Sequence, residues 1–249
     1  MPHRPTTLLA LLTLGCASAG SAQSAARSAE SPYAVAAPAP AGFDRAAAQR
    51  TTETHLRNLV RLDTQNPPGR EIRTARYFDS VFARIPGVER RIIEAGNGRA
   101  FFVARLRAAR PTAKPVLVMG HMDVVGVDST KWETPPFEVT AKDGYLYGRG
   151  VIDDKGMLAA TTTAMELLAR DRDRLTRDII FFGSAGEEGG DINIDWLLEH
   201  HPEAIGDAEL ALNEGGRIRV EGSIERGRVR TVNIQTTEKV YYAVTCTAT

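Results

Sequence analysis

Tyr147-Gly148-Arg149-Gly150-Val151-Ile152-Asp153-Asp154-Lys155-Gly156 is the stretch on which the fold of this chain turns. It places two adjacent carboxylates between glycine-rich backbone and a segment with helical spacing. In that segment Met157, Thr161, Ala164, Met165 and Leu168 share one face of a helix over residues 157–170. The simplest account of Asp153 and Asp154 is an N-cap followed by a first-turn carboxylate, with the helix beginning near Lys155. Capping leaves room for a second role, because acid and histidine clusters lie on either side, each at the end of an apolar run. A dinucleotide fingerprint does not apply, since Asp153 stands where the third glycine of Gly-x-Gly-x-x-Gly belongs.

Outward from this stretch, three short apolar runs occupy residues 115–119, 179–182 and 210–212. They are continuously apolar rather than alternating, which is the mark of strands covered on both faces. The 157–170 helix separates the first two, and a helix over 194–200 separates the last two. Upstream, residues 46–62 carry Ala48, Leu56, Leu59 and Val60 at helical spacing. His55 on that segment reads as a partly exposed helix histidine. A Pro-Pro-Gly turn follows at 64–69, then a helix over 73–85. Short strands at 90–93 and 100–106 flank a Gly-Asn-Gly turn. Strands alternating with helices imply an α/β fold, an open and mostly parallel sheet with helices on both faces. Ligands of such sheets gather at the carboxyl ends of the strands.

The chemistry stands at those ends. The first run closes in Gly120-His121-Met122-Asp123, where His121 is a candidate metal ligand and Asp123 a partner for its other ring nitrogen. Alone, a His-x-Asp pair is more often a local hydrogen bond. The second run closes in Gly183-Ser184-Ala185-Gly186-Glu187-Glu188. Adjacent carboxylates repel, and the ordinary fate of such a pair is a solvated acidic loop. A metal beside one of them removes that objection and leaves the other as a general base on a metal-activated water. The third run closes in Asn213-Glu214-Gly215-Gly216. Together, one histidine and several carboxylates form an oxygen-and-nitrogen donor set suited to Zn²⁺, singly or as two ions ~3.5–4 Å apart sharing a carboxylate. Co²⁺ or Mn²⁺ accepts similar donors. Ser184 as a serine nucleophile is the competing chemistry, but a Gly-x-Ser-x-Gly elbow needs glycine where Phe182 stands.

Composition narrows the partners. The 249 residues hold 31 Lys+Arg against 31 Asp+Glu, which offers no electrostatic reason to bind nucleic acid or an anionic membrane. No segment has the ~18 consecutive apolar residues of a transmembrane helix. Residues 1–22 read as a signal peptide: Arg4, an apolar run at 8–14, and small residues with cleavage after Ala19 or Ala22. A secreted or periplasmic protein is therefore expected. Leu14-Gly15-Cys16 suggests lipidation at Cys16 as the second option. Residues 23–44 are an Ala/Ser/Pro-rich linker. Cys16 and Cys246 are the two cysteines, too few for a disulfide framework.

The motifs around His121, Asp153, Glu187-Glu188 and Glu214 stand in order, with Trp132, Pro135-Pro136-Phe137 and Asp143-Gly144 between the first two. In that order they resemble the zinc exopeptidase and deacylase family of glutamate carboxypeptidase, aminoacylase, carnosinase and succinyl-diaminopimelate desuccinylase, the clan MH metallopeptidases. The likeness runs from about His55 to the C-terminus. It implies that His121 and Glu214 bind the first of two zinc ions, Glu188 the second, and that Asp153 bridges them with a cis peptide bond to Asp154. It implies that Asp123 orients His121 and that Glu187 is the general base. Asn213 stands where the family commonly has Asp. The implied substrate is a small peptide or an N-acyl amino acid. Family members are longer: a lid domain through which many dimerise follows the position of Glu214, and a last zinc-binding histidine comes later. Residues 45–239 are thus expected to be the N-terminal part of a catalytic domain, and 240–249 the first strand of a truncated lid. A homodimer would form through the rest of that lid. The alternative is a catalytically incomplete fragment that binds one metal ion. His200 and His201 read as surface residues at a helix end, not as the absent ligands.

Overall fold

The computed structural model describes residues 42–215 and the backbone of two short strands beyond them. The expected signal peptide, the linker up to residue 41 and the lid strand at 240–249 lie outside the described residues. A compact unit begins at Asp44. Its elements in chain order are α1 (Arg45–Val60), β1 (Gln65–Asn66), α2 (Ile72–Phe82), β2 (Val88–Gly96), β3 (Arg99–Leu106), β4 (Val116–His121), β5 (Val124–Val125), β6 (Thr140–Lys142), β7 (Tyr145–Tyr147), α3 (Lys155–Arg170), β8 (Ile179–Ser184), α4 (Ile194–His200), β9 (Leu210–Leu212), β10 (Arg217–Val220) and β11 (Val232–Gln235).

Five strands form the main sheet in the order β2-β3-β8-β4-β9. β4 is parallel to both β8 and β9, whereas β3 is antiparallel to β8 and to β2. Four strands therefore point one way and β3 alone opposes them. That exception follows from the tight Gly96-Asn97-Gly98 turn, which joins β2 to β3 as a hairpin; all three residues have positive φ. A second hairpin, β6–β7, turns at Asp143-Gly144, again with both residues at positive φ.

Period-two alternation sends neighbouring side chains to opposite faces of the sheet. Phe102 and Phe181 meet Phe78 and Phe82 of α2 on one face, with Leu158 and Met165 of α3 and Leu59 of α1 in the same core. The Phe78 and Phe82 ring centroids lie 4.9 and 5.0 Å from that of Phe181. Phe101 and Phe182 take the other face, with Leu197 and Trp196 of α4. Helices thus cover both faces, and every residue of the central strand β8 is buried. This is why its apolar run is unbroken.

Buried polar contacts tie the helices to one another. Lys155, the first residue of α3, is fully buried, and its Nζ donates to the carbonyls of Leu59 (3.0 Å) and Leu62 (2.6 Å) at the end of α1. These carbonyls lie at and just past the helix C-terminus, where backbone donors run out; that of Leu59 also accepts the Leu62 N–H at 3.1 Å. His55 departs from expectation. It is buried, its Nδ1 lies 2.7 Å from the Tyr77 hydroxyl, and its Nε2 lies 3.4 Å from a Glu166 carboxylate oxygen. Its helix face is turned towards α2 and α3, which the spacing of α1 alone does not disclose. Among the described residues no helix is long and apolar enough to cross a membrane.

Phe181→Ala removes a ring that touches three other buried phenylalanines. It is expected to cost about 3–5 kcal/mol, read as a lower urea midpoint.

Candidate metal centre

β4 delivers His121 to the carboxyl end of the sheet, with the ring 1% exposed. Its Nδ1 donates to the backbone carbonyl of Asp123 at 3.0 Å and lies 3.5 Å from the Asp123 carboxylate. Nε2 faces outward, 2.6 Å from Asp153 Oδ1 and 3.7 Å from Glu214 Oε2. Glu214 follows β9, so three separate elements converge here. His121, Asp153 and Glu214 each offer one donor atom, all within 4.8 Å of one another. His121, Glu187 and Glu188 do the same. The predicted residues are thus brought together in two sets, but the member the sets share is His121 and not Asp153, and the second includes Glu187, read from sequence as the base. Asp153 is the exposed member, its side chain 63% accessible.

The electrostatics suit a cation. Burial works against a charged His121, but hydrogen bonds and charge from Asp123 and Glu214 overcome it and hold the imidazolium up to about 12. Positive charge is therefore strongly favoured at this point. Burial, then the nearby charge of Asp153, pushes the Glu188 carboxyl above its usual range. Imidazole nitrogen and carboxylate oxygens crowded by mutual repulsion fit a divalent ion such as Zn²⁺, which meets the demand for positive charge without a proton.

The peptide bond between Asp153 and Asp154 is cis, as the resemblance implied. The capping role read for these two residues is not realised. Asp154 precedes α3 but makes no side-chain cap bond. It is buried, and its Oδ2 accepts from the His121 backbone N–H at 3.2 Å. Burial pushes its carboxyl up to about 7. The close approach requires glycine at position 120, where a Cβ would collide with the Asp154 carboxylate.

Asp123 has more to do than orient His121. Its carboxylate is fully buried and accepts the backbone N–H groups of Glu187 (3.2 Å) and Glu188 (3.1 Å), together with Asn66 Nδ2 (2.8 Å). Burial acts to raise its pKa, but His121, Asn66 and the Glu188 amide keep it below the ordinary range. Asn66 also donates to the Gly189 carbonyl at 2.5 Å. β1 pairs in parallel with β5, which lies just past Asp123, and so carries Asn66 to this point. Asn66 was not among the residues predicted from sequence. It ends β1, 57 residues from Asp123, inside the 64–69 stretch that the sequence marks as a turn without giving it a place in the site.

Ser184 is buried and its hydroxyl donates to the Gly120 carbonyl at 3.4 Å, a strand-end contact and not a nucleophile arrangement. His200 donates to the Trp196 carbonyl and stacks on that ring at 4.4 Å; His201 lies beside Glu203. An open depression of about 990 Å³ is lined by Pro115, Asp178 and Glu209, the residues just before β4, β8 and β9. It lies at the opposite end of the sheet and holds none of the clustered ligands.

Residues 117–246 match the family model described as Peptidase family M20/M25/M40. The chain is 35% identical over 138 residues to the N-formyl-4-amino-5-aminomethyl-2-methylpyrimidine deformylase of Halalkalibacterium halodurans, covering 55% of this chain and 32% of that protein. It is 34% identical over 134 residues to a probable succinyl-diaminopimelate desuccinylase of Staphylococcus epidermidis, covering 53% of this chain and 32% of that protein. It thus spans about a third of the length of these relatives. Human carnosine dipeptidase 1 shares the fold, with a TM-score of 0.59 at 23% identity over 70% of this chain and 40% of that one. With the family model covering more than half its length, the chain belongs to peptidase family M20/M25/M40.

Proposed function

We propose that this chain carries the metal-holding part of a hydrolase that cleaves the amide bond of a small peptide or an N-acyl amino acid. The observation that carries the reading is the meeting of one imidazole and four carboxylates where the carboxyl ends of β4, β8 and β9 face the turn before α3. His121, Asp153 and Glu214 would hold one ion, and Glu188 with Asp153 a second. Zinc suits the donors, with Co²⁺ or Mn²⁺ as substitutes. When bound, the metal supplies the positive charge that polarises a carbonyl and acidifies water.

The remaining steps belong to side chains. Glu187 accepts the proton of the attacking water and returns it to the departing nitrogen as the C–N bond breaks. Its backbone N–H is fixed on Asp123, so the base is carried by an anchored loop. Asp123 also holds the His121 ring by the Nδ1 side, keeping Nε2 towards the cluster. The names of the relatives, a deformylase, a desuccinylase and a dipeptidase, support acylated amines and short peptides as the substrate class. Export from the cytoplasm belongs to the same proposal and is supported by residues 1–22. Assembly as a homodimer rests on the resemblance.

Chelation with 1,10-phenanthroline is expected to abolish hydrolysis of N-acyl amino acids by the protein, and a serine-directed fluorophosphonate to leave it untouched. Activity that survives chelation would sink the metal reading. Glu187→Gln is expected to retain metal by elemental analysis while losing about 10²–10⁴-fold in kcat. Asp153→Ala is expected to lose the metal itself. Equal metal in both variants, with unchanged activity, would refute the roles assigned.

A further inference from the structure

The loop that presents Glu187 and Glu188 has an anchor outside the cluster. Arg99, the first residue of β3, is 8% exposed, and Glu71, just before α2, is fully buried. Arg99 Nε donates to both carboxylate oxygens of Glu71, at 3.1 and 2.9 Å. Its Nη2 donates to the Ile192 carbonyl at 3.1 Å. Three glycines leave room for the guanidinium: a Cβ at Gly69, Gly186 or Gly190 would press on it. Gly186 and Gly190 bracket the two glutamates, and Gly69 closes the turn that carries Asn66.

Burial pushes the Glu71 carboxyl upward even with Arg99 beside it. A buried pair whose desolvation is not recovered is poor as a stabilising device. The bond to Ile192 suggests what the pair is for. One planar fork serves a carboxylate and a carbonyl at once, a geometry that lysine lacks. The loop is then held from three sides: Asp123 takes the amides of Glu187 and Glu188, Asn66 the carbonyl of Gly189, and Arg99 that of Ile192.

We propose that Arg99, locked by Glu71, is a positioning residue that fixes the 186–192 loop so that Glu187 and Glu188 face His121. The inference rests on the metal-centre reading above only for its consequence for metal binding.

The test compares the whole chain with Arg99→Met and with the double variant Glu71→Met/Arg99→Met. Three quantities are read: the urea midpoint, NMR-detected exchange of the Glu187 and Glu188 amides, and Co²⁺ affinity by absorption titration. Arg99→Met leaves Glu71 buried and unpaired, so its midpoint is expected to fall. The double variant removes both charges, and its midpoint is expected to recover. With the midpoint recovered, the two amides are still expected to exchange about tenfold faster or more, and Co²⁺ to bind about tenfold more weakly or worse. If exchange and affinity recover together with the midpoint, the pair is structural only and the proposal is overturned. Should the midpoint not recover, exchange of the loop amides relative to those of β8 decides: selective loss in the loop supports positioning, and uniform loss overturns it. If the unmodified chain binds no Co²⁺, the metal-centre reading falls while the exchange comparison still decides the role of Arg99.

Discussion

Negative charge converging on one buried imidazole is the constraint around which this molecule is arranged. Asp123 stands behind the His121 ring, and Asp153 and Glu214 stand before it. Left to themselves these carboxylates repel one another, and only positive charge at their centre makes the arrangement favourable. The sheet supplies the scaffold for it. Parallel strands bring their carboxyl ends to one edge, so residues far apart in sequence reach one point without long loops. Glycines at the strand ends then allow the approach, most clearly Gly120 against Asp154.

Several polar groups buried near the cluster make contacts that fix the backbone around it. Asp123 gathers two loop amides and one side-chain amide, Asp154 takes the backbone N–H of His121, and Lys155 is spent on the end of α1. Such groups stabilise little by themselves, because desolvation offsets most of what their contacts return. Their effect is geometric: they leave few alternative directions for the residues that line the site.

Much of this was legible from residue order. The runs at 115–119 and 179–182 read as doubly covered strands because β4 and β8 lie inside the sheet, whereas 210–212 read the same way and is β9, an edge strand with all three residues exposed. His121, Asp153, Glu187, Glu188 and Glu214 each have an ordinary local explanation and stood out only together, by their order along the chain. What stayed hidden depends on tertiary direction. Asn66 and Arg99 sit in an early turn and at the start of a strand, and each becomes meaningful only when the 186–192 loop folds onto it. Asp153 and Asp154 looked like a cap and a first-turn carboxylate because capping is a local rule, whereas the partner of Asp154 lies 33 residues away. His55 looked exposed because one helix pattern cannot show which neighbours cover it. The opposing direction of β3 was equally silent, since a strand's polarity is decided by its turn and its partners.

The clamp from Lys155 onto the end of α1 bears on where this unit could be cut. The family match starts at residue 117, yet the carbonyls of Leu59 and Leu62, the amide of Asn66, and the Glu71–Arg99 pair all precede it. A boundary drawn at β4 would keep every clustered ligand and discard the groups that aim them. It would also take away the two carbonyls that hold the Lys155 ammonium, two residues from Asp153. The groups between α1 and the start of β3 are therefore as much a part of the centre as the residues that would touch the ion.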